Sequence, residues 1–482
     1  MLLCFIEYPI WMNISLLKYR DLRNLLDQGQ LTCVDVVTYY LSQIEAHNAK
    51  LNAFLEVYAA EALGKAALID VKIQSGTAGE LAGLVIGIKD LLCYEDHHSY
   101  AGSNILDSFK STFSATAVQR LLDQDAIVIG RQNCDEFGMG STNENSAFGP
   151  ALNFKNTAHV AGGSSGGSAV SIQANMCHIS LGTDTGGSIR MPAAFCGVAG
   201  LKPTYGRVSR WGLIAYASSF DTIGPMARHV EDLALILKFI SGADGQDSTV
   251  VSVSEFAVKK PSNGKRIAYI KEMAEHPSLQ ADIKKAFFER LDQLKKKGYE
   301  VIAVDFPYVE ALLPTYYILT TAEASSNLSR FDGVKFGHRT SFATKDLLEM
   351  YKKTRDEAFG EEVKRRIMLG TFVLSADYYD AYYTKAQKVR RLIKEFTQSL
   401  LQENDFLVSP TTSSTAYRLG EKTLDPLQMY LGDLFTVQAN VAGLPAISIP
   451  MGEDAQSLPM GFQIMADVFQ EEAMLDLATE LV

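Results

Sequence analysis

The sequence predicts an α/β protein built on a large, buried, mixed β-sheet with helices over both faces. Short apolar runs rich in β-branched residues alternate with stretches of helical periodicity along most of the chain. No Gly/Pro/Ser-rich linker divides it into autonomous halves. Between about 310 and 400 the β-branched runs stop and the sequence becomes helical, with many tyrosines and arginines. That change predicts a helical insertion covering one side of the sheet.

From 14 to 75 the chain reads as helices. "LKYRDLRNLLDQG" ends on a glycine stop, and "TCVDVVTYYLSQIEAHN" opens on a threonine cap. "LAGLVIGIKDLL" (81–92) is a short apolar run bounded by glycine, the pattern of a buried strand. "ATAVQRLLDQDAIVIGRQN" reads as a helix followed by a strand, and "HISLGTD" as another buried strand. "RIAYIKE", "YEVIAVDFP", "DFLVSPTT" and "PAISIPMG" repeat the theme. Nearly continuous apolar runs of this kind are expected where a sheet is covered on both faces.

The chain has 482 residues, of which 47% are hydrophobic and 21% charged, ordinary values for a protein with a large core. The net charge of −11 argues against a surface that binds nucleic acid by neutralising phosphates. The basic stretch "RLDQLKKKGYE" (290–300) reads as the wet face of a helix. Six cysteines are scattered without a C-x-x-C pair, so free, buried thiols in a reducing cytoplasm are the simplest reading. The apolar start is broken by Glu7 and Pro9 and lacks a basic flank, so neither a signal peptide nor a membrane span is expected. Residues 1–11 read as a non-native or disordered extension ahead of a start at Met12, and 12–482 as a single domain.

Two glycine-serine turns stand close together, "HVAGGSSGGSAVSIQANM" (159–176) and "GTDTGGSIRMP" (182–192). Each opens a helix, whose first N–H groups are unpaired and carry partial positive charge. Cradling phosphate is disfavoured, because G-x-x-x-x-G-K-[ST] is absent and no lysine follows directly on either turn. Tight core turns, or a nucleophilic serine with an oxyanion hole, remain. The last reading needs a base. His159 and His178 flank the first turn without a recognisable relation to a serine or an acid, and read as structural. Lys89, in "GIKD" at the C-terminal end of an apolar strand, is the other available base.

"GIKD" (87–90), "GGSSGGS" (162–168) and "GTDTGGSIRMPAAFCGVAGLKPTYGRVS" (182–209) together resemble the amidase signature family, and the 24-residue step from Ser164 to Ser188 matches it too. The resemblance implies the amidase-signature fold and a Ser–cis-Ser–Lys catalytic set. Ser188 is then the nucleophile that carries the acyl-ester intermediate, Ser164 the bridging serine beside a cis peptide, and Lys89 the terminal base. Such a lysine works only when neutral, which burial favours. Asp90 would oppose that, but on a strand it should point to the other side. The oxyanion hole is expected from the backbone N–H groups of Thr185, Gly186, Gly187 and Ser188. Ala161 and Met191 depart from the family's usual residues beside the two turns.

"NCDEFGMGSTNENSAFGP" (133–150), "EASSNLSRFDGVKFG" (323–337), "FGEEVKRRIMLGTFVLS" (359–375) and "LGDLFTVQANVAGLPAISIPMG" (431–452) resemble one branch of that family, the glutaminase subunits of the tRNA-dependent amidotransferases. The resemblance implies hydrolysis of glutamine and delivery of ammonia to a B subunit, which uses ATP and Mg²⁺ to amidate Glu-tRNA(Gln), Asp-tRNA(Asn) or both. A small C subunit completes a heterotrimer. No cofactor, metal or membrane is implied for this chain. Free glutamine is a zwitterion, so its pocket needs a cation and a carboxylate. The family's glutamine pocket carries over as Arg366 (or its neighbour Arg365) for the α-carboxylate, Asp433 for the α-ammonium and Tyr317 as a further hydrogen-bonding group. Two rivals remain: a stand-alone amidase acting on a small carboxamide, and an inactive scaffold, which the intact Lys89, Ser164 and Ser188 disfavour.

Overall fold

The computed structural model describes residues 14–251, 265–421 and 426–482. The expected extension, 1–11, and Cys4 lie outside the described residues. Eleven strands form one sheet among the described residues: β1 (Phe54–Val57), β2 (Val85–Lys89), β3 (Ile127–Gln132), β4 (Ile179–Thr183), β5 (Ala199–Lys202), β6 (Ile223–Ala227), β7 (Arg266–Ile270), β8 (Glu300–Val304), β9 (Phe406–Pro410), β10 (Ala446–Glu453) and β11 (Pro459–Met465). Their order across the sheet is β1-β3-β2-β4-β6-β5-β10-β11-β9-β7-β8. β3, β2 and β4 are mutually parallel, as are β9, β7 and β8. The strands between β4 and β9 pair antiparallel, and so does β1 with β3.

Every residue of β2, β3, β4, β5, β6, β9 and β11 is buried. Successive side chains on a strand face opposite sides, so unbroken burial means that helices cover both faces. The apolar runs expected as strands form β2, β3, β4, β7, β8, β9 and β10. The all-helical reading of 14–75 needs correction, because β1 interrupts it between the helices Cys33–Leu51 and Ala59–Gln74. β5, β6 and β11 were not anticipated.

Thr32 starts the helix Cys33–Leu51 with a capping box. Its hydroxyl accepts the Asp35 N–H at 3.0 Å, while the Asp35 carboxylate accepts the Thr32 N–H at 2.9 Å. The helix Ala281–Lys296 buries Ile283, Phe287, Leu291 and Leu294 and leaves Lys295 and Lys296 exposed, the wet face expected of the 290–300 stretch. The 310–400 region is helical as expected, with Val309–Asn327, Leu347–Ala358, Glu361–Val373 and Lys385–Glu403. Val309–Asn327 packs on Glu361–Val373 and also on the short helix Val437–Ala442, which places the insertion beside the turn that follows β4. Cys33, Cys93, Cys134, Cys177 and Cys196 are free and buried. Among the described residues no helix is long and apolar enough to cross a membrane.

Candidate active site

Lys89 ends β2, and Thr183 ends the parallel neighbour β4. The site therefore opens at the C-terminal ends of adjacent parallel strands, where α/β sheets place their reactive groups. Lys89 is completely buried. Its Nζ lies 2.7 Å from Ser164 Oγ, 2.9 Å from Ser165 Oγ and 2.8 Å from Thr183 Oγ1. The expected approach of Lys89 to Ser164 is present, and Thr183 is a partner that the sequence reading missed. Asp90 turns away, as strand alternation demands. Its carboxylate accepts the N–H groups of Tyr100 at 3.0 Å and Gly102 at 2.8 Å and pairs with Arg131 at 3.4 Å.

Lys89 forms no ion pair with a described residue. Burial pulls its ammonium down to about 8, against the opposite pull of the nearby carboxylates of Asp135, Asp184 and Asp221. Three neutral hydroxyls accept from the amine, but no carboxylate touches it to balance the charge that burial penalises.

Ser164 is reached through a cis peptide bond from Gly163. Ser165 then ties the two glycine-serine turns together. Its N–H donates to the Ser188 carbonyl at 3.1 Å, and its hydroxyl donates to the Thr183 carbonyl at 3.1 Å. The helix Gly166–Gln173 begins directly after it and is buried throughout.

The turn bearing Ser188 is organised from beneath by Asp184 and Arg190, both completely buried. The Asp184 carboxylate accepts the N–H groups of Gly187 at 2.8 Å and Ile189 at 3.1 Å. Arg190 grips the same carboxylate through Nε and Nη2, each at 3.0 Å. Burial opposes the carboxylate's charge, but the guanidinium overcomes it and holds Asp184 down to about 2. Arg190 also donates to the Thr436 carbonyl, Gln463 and Asn440, at 2.9, 2.6 and 2.6 Å. The four N–H groups expected to form an oxyanion hole therefore differ. That of Gly187 is taken by Asp184, whereas those of Thr185, Gly186 and Ser188 donate to no described residue. The Ser188 hydroxyl also bonds no described residue, so its expected link to Ser164 is not closed in this state.

Glycine is needed in this turn for a local reason. Gly187 has φ +137°, and a side chain there would meet Thr436 Oγ1 at 2.3 Å. A side chain on Gly186 would strike the Tyr316 hydroxyl and ring at 2.5 Å. The nucleophile turn is thus packed directly under Tyr316 and Thr436.

Those two contacts lead to the expected substrate residues. Tyr317 follows Tyr316, and its hydroxyl donates to Asp433 Oδ2 at 2.5 Å. Ser141 donates to Asp433 Oδ1 at 2.7 Å, and the Asp433 carbonyl accepts the Thr436 N–H at 3.0 Å. Burial pushes the Asp433 carboxyl up to about 6, with Tyr317, Ser141 and Arg366 working against it. Arg366 is buried among Tyr216, Tyr317 and Tyr430, its guanidinium 5.7, 5.4 and 5.5 Å from their ring centres. Its Nε donates to Glu362 at 2.8 Å and its Nη1 to the Tyr216 hydroxyl at 2.8 Å, while Nη2 donates to no described residue. Arg365 instead turns outward, its side chain 44% exposed. Ser141, Glu362, Tyr216 and Tyr430 were not anticipated.

His178 bonds Tyr40 and Asp232, each at 3.1 Å, and takes no part in the site. His159 is buried at a bridge to Arg418. Among the described residues no group of three or more His, Cys, Asp or Glu is arranged to hold a metal ion.

The model of the amidase family matches residues 35–475, and the chain belongs to that family. Within it, the chain is 47% identical to the A subunit of the glutamyl-tRNA(Gln) amidotransferase of Koribacter versatilis, over 97% of this chain and 98% of that protein. It is 45% identical to the A subunit of the Chlorobium phaeobacteroides enzyme of the same name, over 96% and 98%. Among solved structures, the A subunit of the glutamyl-tRNA(Gln) amidotransferase of Thermotoga maritima superposes with a TM-score of 0.76 at 34% identity, covering 96% of this chain and 94% of that one. The peptide amidase of Stenotrophomonas maltophilia superposes with a TM-score of 0.82 at 28% identity, covering 97% of each.

Proposed function

We propose that this chain is the glutaminase subunit of a glutamyl-tRNA(Gln) amidotransferase. The observation that carries the reading is the placing of a buried carboxylate and a buried guanidinium against the same tyrosine, beside the nucleophile turn. Tyr317 donates to Asp433 at 2.5 Å, and the Arg366 guanidinium lies 5.4 Å from the centre of the same ring. A free amino acid presents an ammonium and a carboxylate on one carbon. Asp433 takes the first and the unclaimed Nη2 of Arg366 takes the second, which leaves the side-chain amide to reach Ser188. A peptide or aryl amide does not need both charges.

In this reading neutral Lys89 offers one lone pair and two N–H donors to its three hydroxyl neighbours. Lys89 takes the Ser164 proton as Ser164 takes that of Ser188. The Ser188 oxygen attacks the amide carbon of glutamine, and the N–H groups of Thr185, Gly186 and Ser188 hold the developing oxyanion. The proton returns through the relay to the leaving nitrogen, so the C–N bond breaks to release ammonia and leaves a glutamyl ester on Ser188. Water, deprotonated along the same relay, hydrolyses the ester to glutamate. The hole loses little by the diversion of the Gly187 N–H, because that bond to Asp184 fixes the turn that aims the other donors.

The ammonia is then used by a B subunit that holds ATP and Mg²⁺ and binds most of the charged tRNA, with a C subunit between the two, in the cytoplasm. The acidic net charge of −11 supports placing the tRNA chiefly on the partner. The decisive experiment measures ammonia release from glutamine with and without the B and C subunits. Strong stimulation by the partners and charged tRNA is expected. High solitary activity on simple amides, without preference for glutamine, would instead identify a stand-alone amidase.

A further inference from the structure

β3 runs into a turn, "NCDEFG" (133–138), that holds two adjacent buried carboxylates which the reaction above does not use. They serve different neighbours. The Asp135 N–H donates to the Ser164 carbonyl at 3.1 Å. Its Oδ2 lies 2.0 Å from where a side chain on Gly163 would begin, so the carboxylate is seated against the Gly163–Ser164 peptide. The same carboxylate accepts the N–H groups of Asn143 at 2.9 Å and Asn145 at 3.0 Å. It thereby fixes the loop whose Ser141 holds Asp433. Glu136 reaches the other way. It accepts the Ser103 hydroxyl and, at 2.8 Å, the N–H of Gly360. Gly360 caps the helix Glu361–Val373 without a side chain of its own, and that helix carries Glu362 and Arg366. Gly138 completes the turn, and a side chain there would lie 3.5 Å from Ser164 Oγ.

We propose that Asp135 and Glu136 form a single positioning joint, in which Asp135 holds the Ser164 turn and the Asp433 wall while Glu136 seats the helix bearing Arg366. The joint makes relay and clamp share one rigid element, so the amide is presented to Ser188 at a fixed height above the turn. This rests on the glutaminase reading of the site. Burial pushes the two carboxyls up, to about 6 and about 7, and backbone N–H donors on each limit that cost.

The test uses the full amidotransferase complex and two readouts: glutamine kinetics, and the labelling rate of Ser188 by a small fluorophosphonate that does not need the clamp. Asp135→Asn keeps its backbone bond to the Ser164 carbonyl but disturbs the carboxylate seated against the Gly163–Ser164 peptide, so it should slow labelling and kcat by several-fold, and the weakened hold on the Asn143 and Asn145 N–H groups should raise the KM for glutamine by about tenfold, the size of one lost charge-assisted hydrogen bond. It should also move the acid limb of the pH profile downward, because Lys89 loses one attracting carboxylate and keeps only Asp184 and Asp221. Glu136→Ala should raise the KM for glutamine by about tenfold on the same reasoning and leave labelling at the wild-type rate. Glu136→Gln keeps an acceptor for the Gly360 N–H and should restore the KM. A folded Asp135→Asn variant with wild-type labelling and kcat would overturn the joint. So would a Glu136→Ala variant that loses labelling with KM unchanged. If Asp135→Asn melts before it can be assayed, the Glu136 pair decides. Wild-type labelling without any glutamine hydrolysis would sink the glutaminase reading instead, and the Asp135→Asn labelling rate would still judge the joint.

Discussion

The Lys89 amine and the Ser164 hydroxyl lie 2.7 Å apart at the end of a wholly buried strand. No carboxylate reaches the amine, and Asp90, the nearest in sequence, is turned to Arg131 on the opposite face. The arrangement brings the uncharged lysine, the one form with a lone pair to accept a proton, within reach near neutral pH.

Activity should follow the neutral fraction of Lys89. With the ammonium pulled down to about 8, the charged form prevails below that pH and cannot act as base. At pH 7 about a tenth of the lysines are neutral, and well below the midpoint that fraction grows about tenfold for each unit of rising pH. The kcat/KM for glutamine should therefore climb through a limb centred near 8, measured as ammonia release by the complex. A profile flat across neutral and mildly alkaline pH would contradict this.

Ser188→Ala should abolish ammonia release from glutamine while the complex still amidates charged tRNA from added ammonium. Product formed with each nitrogen donor measures the two activities separately. Loss of both would show that the division of labour between subunits is wrong.

Asp433→Asn and Tyr317→Phe should raise the KM for glutamine more than they lower kcat. A lost hydrogen bond to a charged group is worth roughly 1.5–3 kcal/mol, or about tenfold to a hundredfold in binding. In the wild type the KM should also rise as pH falls through about 6, where the Asp433 carboxyl takes up a proton and ceases to match an ammonium. Asp433→Asn should lose that dependence, seen in initial rates against glutamine at several pH values.

Arg190→Met should destabilise the fold by about 3–5 kcal/mol, because it strands a buried Asp184 carboxylate without its cation. Denaturant midpoints measure the loss. Pairing it with Asp184→Asn should recover part of the stability but not the activity, since the Gly187 and Ile189 N–H groups lose their charged acceptor.

The strands that position the reactive groups were legible because β2 and β4 are short runs led by Val85, Ile86 and Ile88 in one and Ile179 and Leu181 in the other, a pattern that burial on both faces produces. β6 contains Gly224 and Pro225, β5 contains Gly200 and β11 opens with Pro459, residues that weaken a strand reading although the surrounding sheet accommodates them. β1 is a four-residue edge strand between two long helices and carries too little pattern to register. In the site, Lys89, Ser164 and Ser188 sit in contiguous motifs and could be named from them. Ser141 meets Asp433 across 292 positions, and Tyr216 meets Arg366 across 150, distances that no local pattern encodes. Which of Arg365 and Arg366 faces inward depends on helix phase, and it is Arg366 that packs against Tyr216, Tyr317 and Tyr430.

The most direct test of the proton relay is the rate of ammonia release from saturating glutamine by the complete complex carrying Lys89→Met, a near-isosteric change without a base. Removing a general base typically costs between about a hundredfold and ten-thousandfold, so a fall in that range or beyond, with the complex intact and charged tRNA still amidated from ammonium, is the expected result. Turnover within a few-fold of wild type would mean that Lys89 is not the base.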